Sequence, residues 1–208
     1  MNKLMIVTAL MAEAVPIIDA YKMRKEPKKP GYHHYSVSTP AGPIELLVCG
    51  LGTQQMREGL EGFFRIQTTL KLEDTQEIIW INIGVAGALS HSLGELLWVG
   101  AIGETEIARL PQTAEQIRVI SLDTPSIDYK VNTLFDMEAE TFLDVVMQYS
   151  THLKPQRRVF CAKVVSDNQQ APLVEMSVKS RKKWLSALLQ KNIASLRNDI
   201  NNIIKTMD

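Results

Sequence analysis

Four short apolar runs, each closing on a small or acidic residue, constrain what this chain can fold into more than anything else in it. Lys3–Leu10 precedes Glu13, Ile44–Cys49 enters Gly50-Leu51-Gly52, Glu77–Ile83 enters Gly84-Val85-Ala86-Gly87, and Arg157–Val165 enters Ser166-Asp167. Runs this short and this apolar, rich in β-branched or bulky residues, read as buried strands. The stretches between them carry helical spacing. Met11–Arg24 reads as a helix, with Pro16 acceptable only near its start. Thr53–Leu72 reads as another, with Leu60, Phe63, Phe64 and Ile66 on one side, and Asp136–Tyr149 as a third. In Leu173–Met207, Trp184, Leu185, Leu188, Leu189, Leu196, Ile200 and Ile203 recur at three and four, which predicts packing against the sheet. Tyr32–Thr39, Glu95–Ile102 and Ile117–Leu122 complete the strands. No linker, repeat or low-complexity segment interrupts residues 1–208, so the expectation is one α/β domain.

Composition excludes several classes of function. Lys+Arg equals Asp+Glu at 23 each, which gives no electrostatic case for nucleic acid or an anionic membrane. The locally basic run from Lys22 to Lys29 reads as a solvated loop. No apolar run reaches the roughly 18 residues a membrane span needs. The apolar start is too short for a signal sequence and is interrupted by Glu13, so a cytoplasmic protein is expected. Cys49 and Cys161 lie in strand-like runs and read as buried thiols rather than a disulfide. His33, His34, His91 and His152 show no metal-ligand spacing, so no metal site is expected. Gly50-Leu51-Gly52 lacks the third glycine of a dinucleotide fingerprint, and Gly84-Val85-Ala86-Gly87 is not a P-loop. No cofactor is called for.

What remains is a set of acids at strand ends. Glu13, Glu138 and Asp167 each stand where a strand hands over to a loop or helix, and in an α/β sheet those ends converge on one crevice. Each acid also has a structural reading. Glu138 suits a helix first turn behind Asp136 as cap, and Asp167 suits a turn. Together they suit cleavage of a glycosidic bond, where one carboxyl activates a nucleophile and another protonates what leaves.

Their order and flanks resemble the purine and uridine phosphorylase superfamily, nearest its methylthioadenosine/S-adenosylhomocysteine nucleosidase branch. The resemblance rests on Thr8-Ala9-Leu10-Met11-Ala12-Glu13-Ala14, Gly50-Leu51-Gly52, Ile83-Gly84-Val85-Ala86-Gly87, Asp136-Met137-Glu138-Ala139 and Val164-Val165-Ser166-Asp167. It implies a mixed central β-sheet flanked by helices, and a nucleosidase acting on a purine nucleoside or 5′-substituted adenosine. It implies that Glu13 deprotonates the attacking water and that Asp167, supported by Ser166, protonates the purine N7. Glu138 would accept the ribose hydroxyls above Met137, with Val85, Ala86 and Gly87 alongside, and a homo-oligomer, first a dimer, is implied too. Lys163 is expected to bear on the protonation of Asp167.

Departures keep two alternatives open. Val85 and Ala88 remove a hydroxyl and a glycine from the family's loop, and Arg24, Arg57 and Arg65 cannot be placed around an anion, so hydrolysis is preferred to phosphorolysis. The segment between Gly87 and Asp136 is short, with Tyr129 as the candidate to stack on the base. A degenerate member that binds a nucleoside without turning it over is the third reading.

Overall fold

The computed structural model describes residues 3–69, 78–89, 91–110, 117–124, 130–150, 153–168, 171 and 176–207. Strand β1 (Lys3–Thr8) feeds helix α1 (Met11–Tyr21), and β2 (Arg24–Lys25), β3 (His33–Thr39) and β4 (Gly42–Val48) follow as an antiparallel group. Helix α2 (Thr53–Thr69) precedes β5 (Ile78–Ala88). The short strands β6 (Leu96–Trp98), β7 (Ala101–Ile102), β8 (Thr105–Glu106), β9 (Arg118–Ser121) and β10 (Thr133–Asp136) come next. Helices α3 (Ala139–Tyr149) and α4 (Pro155–Arg158), strand β11 (Val159–Asp167) and the long helix α5 (Val178–Met207) complete the chain.

The four apolar runs become the heart of a mixed sheet. β4, β1, β5 and β11 lie side by side and parallel. Because strand side chains alternate between faces, each of these strands feeds two cores. Leu4 and Ile6 pack with Ile44, Leu46, Ile81 and the α5 residues Leu189, Leu196, Ile200 and Ile203. Met5 and Val7 face the other way, onto Met56, Leu60 and Phe63 of α2 and Phe142 and Val146 of α3. Buried on both faces, such strands have no polar side to show, which is why they read as continuous apolar runs. Among the described residues no helix is long and apolar enough to cross a membrane.

Several boundaries differ from the sequence expectation. The helix from Met11 stops at Tyr21, not Arg24, because Lys22 takes a left-handed conformation with φ 52° and closes the last turn onto Asp19. Pro16 lies inside that helix rather than at its first turn. The expected strand Glu95–Ile102 is broken into β6 and β7, which pair with different neighbours, β11 and β9. Arg157 and Arg158 belong to α4, so β11 begins at Val159. The largest correction concerns Gly84-Val85-Ala86-Gly87, which is not a loop: β5 continues through it to Ala88. β11 pairs alongside it as far as Asp167↔Gly87, and β10, a strand the sequence did not announce, pairs antiparallel through Phe135↔Gly87. Tyr129, the end of the expected helix beyond Thr69, and Leu173 lie outside the described residues.

Candidate active site

The meeting of three strands at Gly87 positions the site. β11 delivers Asp167 there, after a register shift between Val165 and Asp167, while β10 delivers Phe135 and, just beyond it, Met137 and Glu138. The end of β1 joins through the next turn. Cys49 N–H donates to Thr8 O at 3.0 Å and Gly50 N–H to Ala9 O at 2.9 Å, laying the glycine turn beside the start of α1. Gly50 sits at φ 106°, and a Cβ there would stand 2.7 Å from Gln55 Cβ, so this turn requires glycine.

These strand ends surround a cavity of about 370 Å³, within the range that holds a nucleoside-sized ligand. All eight site residues named from the sequence line it: Glu13, Val85, Ala86, Gly87, Met137, Glu138, Ser166 and Asp167. Much of the remaining wall is apolar, from Leu10, Leu51, Leu122, Phe135 and Leu185.

Glu13 is buried in the first turn of α1, and its carboxylate reaches back to the chain that precedes the helix. Ala9 N–H and Leu10 N–H donate to Oε2 at 3.1 and 2.8 Å, and Val85 N–H donates to Oε1 at 3.2 Å. The bond from Leu10, the residue at the helix N-cap, is the glutamate half of a capping box. Burial pushes the Glu13 carboxyl above its ordinary value, opposed by the Leu10 N–H, the Lys163 charge and the other two N–H donors. A Cβ on Gly84 would come within 3.1 Å of Glu13 Oε1 and 3.4 Å of Lys163 Nζ, so the bare backbone of β5 makes room for both groups.

Glu138 stands at the entrance to α3. Gly52 N–H donates to its Oε1 at 2.6 Å, tying the glycine turn to the cavity wall. Burial, with Asp136 and Glu13 as neighbouring negative charges, pushes its carboxyl up to about 7. Asp136, the last residue of β10, accepts from Ala139 N–H at the start of α3 at 3.1 Å and from Ser121 Oγ at 2.6 Å, while the N-cap position itself is Glu138. Asp167 accepts a hydrogen bond from the Ser166 hydroxyl on one oxygen, and Trp184 Nε1 of α5 holds the Ser166 carbonyl at 3.1 Å.

Lys163 is tied to β10 and β5. Its ammonium is buried and donates to Asp136 Oδ2 at 2.7 Å and Asn82 Oδ1 at 2.6 Å, an ion pair beneath the cavity. Its charge bears on Asp136, Glu13 and Glu138. Asn82, Asp136 as an ion-pair partner, and Arg181 and Leu185 of α5 are the parts of the site that sequence reasoning missed. An asparagine in the middle of the apolar run from Ile78 to Ile83 was the available signal for the first, since a buried amide needs a partner. Arg24, Arg57 and Arg65 do not line the cavity; Arg57 faces Glu61 and Asp144, and Arg65 faces Glu61. Burial pushes the thiols of Cys49 and Cys161 up to about 12, so both are unreactive packing groups. Among the described residues no cluster of three His, Cys, Asp or Glu is arranged to hold a metal.

The arrangement is therefore a mostly apolar chamber with carboxyls entering from three strand ends. It can take up a proton at one place and give one up at another, across a ligand with apolar faces.

Comparison with known proteins supports the same architecture. The structure superposes on a crystal structure of an MTA/SAH nucleosidase with a TM-score of 0.71 at 16% identity, over 97% of this chain and 96% of that one. An MTAN from Chlamydia trachomatis gives 0.66 at 20% identity, over 96% and 99% of the two chains. A futalosine hydrolase from Helicobacter pylori gives 0.66 at 14% identity, over 97% and 98%. No protein-family model and no curated protein sequence matches the chain. At these identities the likeness is one of fold: a mixed central sheet with flanking helices, nucleoside phosphorylase-like.

Proposed function

Starting from a chain with the nucleoside phosphorylase fold, we propose that it is an N-ribosyl hydrolase that cleaves the glycosidic bond of a purine nucleoside or a 5′-substituted adenosine. The observation that carries this is the convergence of Glu13, Glu138 and Asp167, from strands far apart in sequence, on one chamber of about 370 Å³. Three backbone N–H groups occupy most of the acceptor sites of Glu13. They leave room for about one more donor, the attacking water. Water attacks C1′ of the ribose as the bond to the base breaks, and Glu13 takes the proton the water gives up. Asp167 donates a proton to N7 so that the base departs neutral, with the Ser166 hydroxyl orienting it. Glu138 accepts from the ribose hydroxyls through the oxygen not held by Gly52, and Met137 packs against the sugar. Hydrolysis is favoured over phosphorolysis because an attacking phosphate calls for several cationic donors, whereas Lys163 is already paired, Arg24, Arg57 and Arg65 stand outside the cavity, and among the described residues Arg181 is the one cation lining it.

The test is free-base release from a purine nucleoside panel, with and without inorganic phosphate. Release independent of phosphate is expected, and Asp167→Asn should slow it by about a hundredfold or more while binding persists. Strict phosphate dependence would reassign the enzyme as a phosphorylase, and a full rate in Asp167→Asn would remove the acid. A cytoplasmic setting and a homodimer are part of the same reading. Sedimentation velocity checks the latter, and a monomer at micromolar concentration would count against it.

A further inference from the structure

The part of the cavity wall contributed by α5 carries a charge that the chemistry above does not use. Arg181 and Leu185 line the chamber from the first turns of that helix. Arg181 Nη2 donates to Met176 O at 3.3 Å, while its Nε is shut off from solvent and makes no hydrogen bond among the described residues. No ion pair among the described residues involves it. A guanidinium offers donors in a planar fork matched to carboxylate and phosphate oxygens. Desolvating it without an acceptor is costly, so the position favours an incoming anion.

A second cavity lies next door. It has a volume of about 450 Å³ and shares Ala9 and Leu10 with the first, so the two meet across the turn between β1 and α1. Lys28, Lys29 and Lys182 line it together with His33, and among the described residues no Asp or Glu does. Lys182 follows Arg181 directly, so one turn of α5 supplies a cation to each cavity. Lys28 and Lys29, the end of the basic run, therefore form one side of a positively charged recess beside the chamber. Unlike charges in a confined recess with low-dielectric walls attract a ligand strongly.

We propose that the site takes a nucleoside bearing an anionic substituent, a carboxylate or a phosphate ester, whose charge is received by Arg181 and drawn in by the lysines of the adjoining recess. This rests on the nucleosidase reading and adds to it the class of substrate. The competing account is that Arg181 only balances Glu13, Asp136, Glu138 and Asp167, which line the same chamber. In that case its loss affects neutral and charged nucleosides alike.

Calorimetric titration separates the two. The ligands are adenosine, adenosine-5′-carboxylic acid and adenosine 5′-monophosphate. The proteins are the native chain, Arg181→Ala, Arg181→Lys and Lys183→Ala, the last an exposed neighbour outside both cavities. At least one charged ligand should bind about tenfold or more tighter than adenosine, a preference that added salt weakens. That ratio should fall toward unity in Arg181→Ala, survive in part in Arg181→Lys, and persist in Lys183→Ala. Comparing the carboxylate with the phosphate ester identifies which anion the recess selects. Adenosine binding as tightly as both charged ligands would overturn the proposal, and so would a preference that outlives Arg181→Ala. Phosphate-dependent base release that vanishes in Arg181→Ala would overturn it too, by handing the arginine to an attacking anion. If adenosine binds and is cleaved without any preference, only this inference fails. If none of the three binds, the nucleosidase reading fails with it.

Discussion

Burial and the charges of Asp136 and Glu13 push the Glu138 carboxyl from 4.5 up to about 7, with opposite consequences for stability and for ligand binding. Below 4.5 the group is protonated in both the folded and the unfolded chain and its burial costs little. As pH rises toward 7 the unfolded chain ionises first, so stability is lost, and the loss is complete above the folded value of about 7. Glu138→Gln should therefore raise stability in mildly alkaline buffer by up to about 3 kcal/mol and leave it nearly unchanged in acid, read by urea denaturation at the two extremes. An equal effect at both would mean that the carboxyl ionises normally. On the proposed reading, ribose hydroxyls would donate to the anion, so a bound nucleoside should draw the group back toward its ordinary value and release a proton near neutrality. Glu13 and Asp167 were legible in sequence because each follows an apolar run, and Glu138 because it lies in the first turn of an expected helix. Their partners were not: nothing near Lys163 in the chain announces Asn82 or Asp136, because a buried cation finds its counter-charge across strands.

At the scale of elements, the misreading of Gly84-Val85-Ala86-Gly87 is instructive. Glycines after an apolar strand ordinarily mark a turn. Here β5 stays extended because β11 and β10 both claim its end, and Gly84 instead provides clearance. Gly84→Ala tests this. Its Cβ would stand 3.1 Å from Glu13 Oε1, displacing the carboxylate by a few tenths of an ångström or more. Base release should fall by about tenfold, since catalytic groups tolerate little misplacement. A native rate in this variant would show that the clearance is not needed. β10 went unseen because the run Thr133–Asp136 is short and carries no alternation, and its strand character comes only from lying between β9 and the end of β5. The helices were legible in kind but not in extent; α1 ends where Lys22 turns left-handed, which no glycine announces.

For the molecule as a whole, the sheet divides the apolar residues into two cores, one under α1 and α5 and one under α2 and α3. Leu189 is wholly buried in the first of these, and Leu189→Ala should cost about 2–5 kcal/mol. In a chain of this size that lowers the melting temperature by roughly 2–4 °C for each kcal/mol lost. A loss under about 1 kcal/mol would mean that α5 is only loosely seated. The two-sided core was readable from the apolar runs and from the spacing of Leu188, Leu196 and Ile203. The wall that α5 builds around the cavity was not, because residues near its start carry no period that distinguishes ligand from solvent. That division of labour along one helix has an evolutionary corollary. Glu13, Glu138 and Asp167 hang on strand ends whose neighbours cannot change without loosening the scaffold, whereas Arg181 and Lys182 occupy turns well removed from the anchoring Ile200 and Ile203. On the proposed reading, descendants of this chain could trade one clientele for another by editing a few codons there, with the carboxyls of the chamber inherited untouched.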